Sequence, residues 1–116
     1  MIVGVHAIVF TPDAEADRAF LRDVLGLPSV DSGGGWLIFG LPPAEIAAHP
    51  DDGAPRFELY LMCDDVESTV RELEAKGVVF TSGVSDEGWG LLTSFRLPGG
   101  ARVGLYEPRH PTAIAT

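Results

Sequence analysis

Apolar and polar positions along the chain follow two periods in alternation, and the alternation occurs twice. From Ile2 to Phe10 the run IVGVHAIVF reads as a strand. Thr11 then reads as a helix N-cap, with Pro12 at the first helical position and Asp13 in the first turn. The helix is expected to reach about Leu25. Ala16, Phe20 and Val24 share one face with Ala19 alongside, and Gly26 supplies the stop. SVDSGGGWLIFGLPP breaks short apolar runs with glycine and proline, which predicts strands and turns, and AEIAAHP reads as a closing strand.

The same order returns further on. Arg56 to Cys63 reads as a strand, and Asp64 as the cap of a second helix, with Glu67 completing a capping box. Val66, Val70 and Leu73 form that helix's apolar face, Glu67–Arg71 and Glu72–Lys76 are spaced as pairs on its wet face, and Gly77 ends it. VVF, GWGLLTSFRL and ARVGLYEP read as three further strands, with a PGG turn before the last.

Landmarks recur in register. Gly26 and Gly77 each follow a strand and a helix. Trp36 and Trp89 each follow a glycine and precede a Leu-Pro pair, and His49-Pro50 and Glu107-Pro108 end the two closing strands. The expected fold is therefore α+β: two βαβββ modules in one domain over residues 1–109, the first about 1–50 and the second about 56–108, with 110–116 a flexible tail. A lone module would leave one face of its sheet uncovered, and pairing two covers it.

Composition narrows the function. Eight Lys and Arg against seventeen Asp and Glu give a net charge of −9, which argues against nucleic acid as a partner and leaves room for a cationic ligand. No apolar run approaches the length of a membrane span, and MIVGVHAIVF lacks the basic start of a secretory signal. The single cysteine, Cys63, excludes an intrachain disulfide and a cysteine-rich zinc site, and points to a reducing cytoplasm.

The opening VHAIVF, the helix end FLRDVLGL, the second opening ELYLMCDDVEST and the closing LPGGARVGLYEP resemble the vicinal oxygen chelate superfamily. That group holds glyoxalase I, bleomycin-resistance proteins and extradiol dioxygenases. The resemblance covers nearly the whole chain and implies a glyoxalase-like half-barrel. It says little about reaction, because the superfamily spreads different chemistry over one scaffold.

Strand alternation puts His6 with Ile8 and Phe10, and Glu58 with Tyr60 and Met62, so His6 and Glu58 are expected to face one concavity. His49 and Glu107 end the closing strands at matching positions. The resemblance implies one metal ligand from the first and last strand of each module. Carried onto this chain, the ligands are His6, His49, Glu58 and Glu107, with His49 and Glu58 exchanging the types found in glyoxalase I. Two imidazoles and two carboxylates suit one divalent ion, Zn, Ni, Mn or Fe(II). A register slip of one would put Phe57 in place of Glu58 and leave a two-His, one-carboxylate set.

The resemblance implies a metal-dependent lyase, isomerase or oxygenase acting on a small substrate chelated through vicinal oxygens, with Glu107 or Glu58 moving the proton. Phe10, Trp36, Phe39, Tyr60, Met62, Trp89 and Phe95 are the candidate pocket lining, with Arg96 as a counter-charge. The alternative is a non-catalytic protein that sequesters a drug in an aromatic cleft, which −9 and two tryptophans also fit. Relatives of this size imply a homodimer, with each cavity closed within one chain or across two.

Overall fold

The structure, a computed structural model, describes residues 6–114. Its elements in order are α1 (Ala14–Asp23), β1 (Ser29–Asp31), β2 (Leu37–Phe39), β3 (Tyr60–Met62), α2 (Val66–Ala75), β4 (Ser85–Asp86), β5 (Gly90–Arg96) and β6 (Arg102–Pro108). Two helices and two sheets make a small mixed α+β domain.

The second half builds the main sheet, in the order β3-β6-β5-β4. β3 runs parallel to β6, pairing Tyr60 with Gly104 and Met62 with Tyr106. β5 and β6 form an antiparallel hairpin, in which Leu91 faces Glu107 and Leu92 faces Tyr106. The PGG turn closes it as expected, with Gly100 N–H donating to the Leu97 carbonyl at 2.8 Å. The first half adds α1 and the β1–β2 hairpin around SGGG.

Both helices pack on one face of the main sheet. Val66 and Leu73 of α2 join Phe95, Leu97, Val103 and Leu105 in the buried core, with Phe20 and Leu21 of α1 and its C-cap Val24 against it. Phe20 and Phe95 lie 5.9 Å apart between ring centroids, and Phe80 meets Phe95 edge to face at 5.7 Å. Each such side chain, fully buried, stabilises the fold by about 1.5–3 kcal/mol. A buried carboxylate adds a tether: Asp17 of α1 accepts the Gly99 N–H at 2.7 Å, and Thr11 closes over Gly99, leaving no room there for a Cβ. Lys76 Nζ, expected to pair with Glu72, reaches the Val24 carbonyl at 3.2 Å and joins the two helix ends.

Several expectations need correction. Both helix caps fall later than expected. Asp13, not Thr11, caps α1 by accepting Ala16 N–H, and Asp65, not Asp64, caps α2 by accepting Ser68 N–H. Where hydroxyl and carboxylate candidates adjoin, the one three residues before a free N–H takes the cap. The helix stops are as expected: Gly26 and Gly77 adopt φ of 68° and 91°, which a Cβ would strain.

The strand expected over Arg56–Cys63 shortens to Tyr60–Met62, and VVF contributes only a single bridge from Phe80 to Phe95. Of the strand expected from Ile2 to Phe10, residues 2–5 lie outside the described residues. Residues 6–10 are exposed and join no sheet, and AEIAAHP forms no strand. Among the described residues no helix is long and apolar enough to cross a membrane.

Candidate functional site

Period-two alternation along β6 decides which side chains can meet. Val103 and Leu105 point into the core beneath the helices. Glu107 shares their parity and so faces α2, while Gly104 and Tyr106 face the open side of the sheet. The Glu107 carboxylate is engaged there: Oε1 accepts the Val66 N–H at 3.1 Å at the start of α2, and Oε2 lies 3.5 Å from Arg109 Nε. Helix N-termini favour such an anion. The neighbouring Cys63 thiol is pushed up, first by burial and then by the charges of Glu107, Asp64 and Asp65, with a Thr69 hydrogen bond acting in the other direction. Its Sγ–H points to the Tyr106 carbonyl at 3.5 Å.

Glu58 stands elsewhere. Its carboxylate is half exposed, receives the Tyr60 hydroxyl at 3.5 Å and lies 3.9 Å from Arg102 Nη1. Arg102 Nε donates to the buried Ser94 hydroxyl at 3.2 Å, and that hydroxyl meets Thr81 Oγ1 at 2.5 Å. His6 and His49 are exposed. The four side chains expected to share a metal ion are thus not brought together. Among the described residues no three His, Cys, Asp or Glu side chains gather as a metal site would require. With Glu107 capping α2 on the helix side, the set does not fit one ion within a single chain.

The open face instead carries an aromatic cluster. Tyr106 is its centre and is buried. Trp89 meets it edge to face at 5.4 Å, Tyr60 edge to face at 6.0 Å, and His110 stacks on it at 5.8 Å with 28° between planes. Met62 adjoins through its register with Tyr106. Two glycines make the cluster possible. A Cβ at Gly104 would clash with the Tyr60 ring, and one at Gly90 would lie 2.9 Å from Tyr106 Cδ2. Burial, and after it the Glu45 carboxylate, hold the Tyr106 phenol above its ordinary range, so it stays a hydrogen-bond donor at neutral pH.

The expected pocket lining is thereby divided. Tyr60, Met62 and Trp89 come together. Phe95 is a core residue with no exposure, which follows from its parity with the inward-facing Thr93 and Leu91. Arg96 donates to the Gly100 carbonyl at 2.9 Å and borders a separate open cleft of about 470 Å³ with Phe20, Phe80 and Pro98. Trp36 lies under the Arg18 guanidinium, 4.8 Å from its ring centroid, while Phe39 sits in β2 and Phe10 projects from the exposed segment. Sequence reasoning passed over Tyr106, Gly104 and His110. The alternation V-G-L-Y-E carried the first two signals, because it sets Gly104 and Tyr106 opposite Val103 and Leu105.

The family model described as Glyoxalase/Bleomycin resistance protein/Dioxygenase superfamily matches residues 5–105. Among solved structures, TnmS3, an antibiotic binding protein from Streptomyces sp. CB03234, is 23% identical with a TM-score of 0.69, over 93% of this chain and 98% of that one. Lactoylglutathione lyase from Agrobacterium tumefaciens is 21% identical with a TM-score of 0.67, over 90% and 92%. A member of the same superfamily from Sphaerobacter thermophilus DSM 20745 is 24% identical with a TM-score of 0.62, over 91% and 98%. At these identities the likeness establishes the fold. No curated protein matches the chain.

Proposed function

Because the chain belongs to the Glyoxalase/Bleomycin resistance protein/Dioxygenase superfamily, we propose that it is a non-catalytic binding protein that holds a planar aromatic small molecule against Tyr106, Trp89 and Tyr60. The observation that carries this reading is the aromatic cluster itself. Three rings converge on the open face of the sheet, and Gly104 and Gly90 let the Tyr60 and Tyr106 rings lie directly on the backbone. Stacked and edge-to-face rings contribute about 0.5–1.5 kcal/mol per pair beyond the area they bury. The carboxylates of Glu45 and Glu58 border the cluster, and the charge of −9 draws cations toward it. TnmS3, an antibiotic binding protein of similar fold, accords with this reading.

The site belongs to a homodimer in this reading. The radius of gyration is 15.0 Å, against roughly 13 Å for a compact domain of this length. Phe10, Ile46 and Phe57 are 90%, 85% and 92% exposed. A second copy laid over residues 6–10 and 46–59 would cover them and wall the cluster.

Divalent-metal chemistry is the second reading. It is favoured by the exposure of His6 and His49, with Glu58 half exposed beside Tyr60 and Arg102, so that the three could meet across two copies. Glu107 would have to leave Val66 to join them.

The deciding experiment is a titration of the Trp36→Phe variant, in which Trp89 is the sole tryptophan, with proflavine, a planar aromatic cation. Saturable quenching with a Kd of roughly micromolar order is expected, and Tyr60→Ala should weaken it. Absence of saturable quenching overturns the binding reading.

A further inference from the structure

The rim of the aromatic site is occupied by the chain's own C-terminal segment, residues 109–114. Arg109 N–H donates to the Trp89 carbonyl at 2.8 Å and roots the segment beside the cluster. His110 lies flat on Tyr106, with Nε2 3.2 Å from the Tyr106 hydroxyl and Nδ1 2.8 Å from the Pro111 carbonyl. Ala113 N–H donates to Glu45 Oε2 at 2.7 Å, a contact between residues 68 positions apart.

The Pro111 carbonyl can only accept, so Nδ1 of His110 donates to it, and Nε2 shares a hydrogen bond with the Tyr106 hydroxyl. The segment therefore offers the site a heteroaromatic ring over Tyr106 and an N–H donor for the Glu45 carboxylate. Beyond these contacts Pro111, Thr112 and Ala113 are exposed and Ile114 is half-buried. Segments held by few apolar contacts open at low free-energy cost.

We propose that residues 109–114 are an internal occupant of the aromatic site, and that the ligand is a planar heteroaromatic molecule bearing an N–H donor, which takes the place of both His110 on Tyr106 and Ala113 on Glu45. The proposal rests on the binding reading given above and adds to it the ligand's chemical class and a competitor built into the chain. A segment that must leave before the ligand binds lowers apparent affinity by the fraction of molecules in which it is already open.

Proflavine, whose amino groups are N–H donors, and acridine orange, the same cationic ring with both amino groups fully methylated, are the two probes. Both are titrated into the Trp36→Phe protein, into the same protein ending at Arg109, and into Trp36→Phe/His110→Ala, each first shown to be folded by circular dichroism. Removing the occupant should lower the proflavine Kd about fivefold or more in either variant. Acridine orange should bind more weakly than proflavine, and Glu45→Gln should narrow that difference. An unchanged or raised proflavine Kd in a folded variant overturns the internal occupant while leaving the binding reading intact. Equal affinity for the two probes overturns the donor requirement. No quenching of any variant by either probe overturns the binding reading itself and this inference with it.

Discussion

Tyr106 and Glu107 are neighbours on β6, and their side chains lie on opposite faces of the same sheet. Tyr106 centres the aromatic cluster, and Glu107 accepts the Val66 N–H at 3.1 Å beneath α2. Glu107 is thereby a helix-stabilising residue. Glu107→Ala should lower stability by about 1 kcal/mol, the usual worth of such a cap, and so lower Tm by about 4 °C or more in a domain this small. Thermal denaturation followed by circular dichroism checks the loss. Protein purified without chelator should carry less than ~0.1 Zn, Ni, Mn or Fe per chain, and the added ions should leave Tm unmoved. Stoichiometric metal, lost on Glu107→Ala, would reinstate the metal reading.

Gly104→Ala tests the making of the cluster. The added methyl meets the Tyr60 ring directly. Overpacking of this kind costs about 1–3 kcal/mol. Urea denaturation should register that loss, and Tyr60→Ala in the same chain should recover much of it. A Gly104→Ala protein as stable as the parent would mean that Tyr60 does not rest on this position.

Two raised acids set the alkaline limit. Burial leads the upward shift both for the Cys63 thiol, ordinarily 9.0, and for the Tyr106 phenol, ordinarily 10.0. The folded protein keeps these protons to higher pH than the unfolded chain does. Their contribution is complete below the ordinary values and is lost as pH rises through the folded ones. Stability should therefore decline from about pH 9 upward. Cys63→Ala and Tyr106→Phe together should flatten that decline, as urea midpoints across pH 7–11 would show. At pH 8 the thiol should also react slowly with iodoacetamide.

Phe10 and Phe57 carry the oligomer prediction. Sedimentation equilibrium should give twice the 12.3 kDa chain mass. Phe57→Asp or Phe10→Asp should shift the protein toward monomer, since a charge is strongly disfavoured in a buried apolar contact. A monomeric parent at tens of micromolar removes the dimer from the account.

The fold was legible where local signals agree. Gly26 and Gly77 stop the helices, the PGG turn joins β5 to β6, and the alternation of Tyr60, Leu61 and Met62 sorts those side chains correctly. The candidate site was legible only in part. Glu107 was grouped with His6, His49 and Glu58 from its likeness to a ligand position, although the strand's own alternation groups it with Val103 and Leu105. Resemblance locates a residue to within a step or two, and one step along a strand changes its face. The segments at 6–10 and 44–50 have strand composition but no strand partner among the described residues. Local preference there cannot form a ladder by itself.

The Asp17–Gly99 tether redraws the chain's divisions. With Phe20 on Phe95 and Val24 bound by Lys76, the first helix is mechanically part of the second half, although the repeat assigns it to the first. It also keeps a hold on its own half, where Arg18 lies over the Trp36 ring, so the helix is the clasp by which the first-half hairpin is carried on the main sheet.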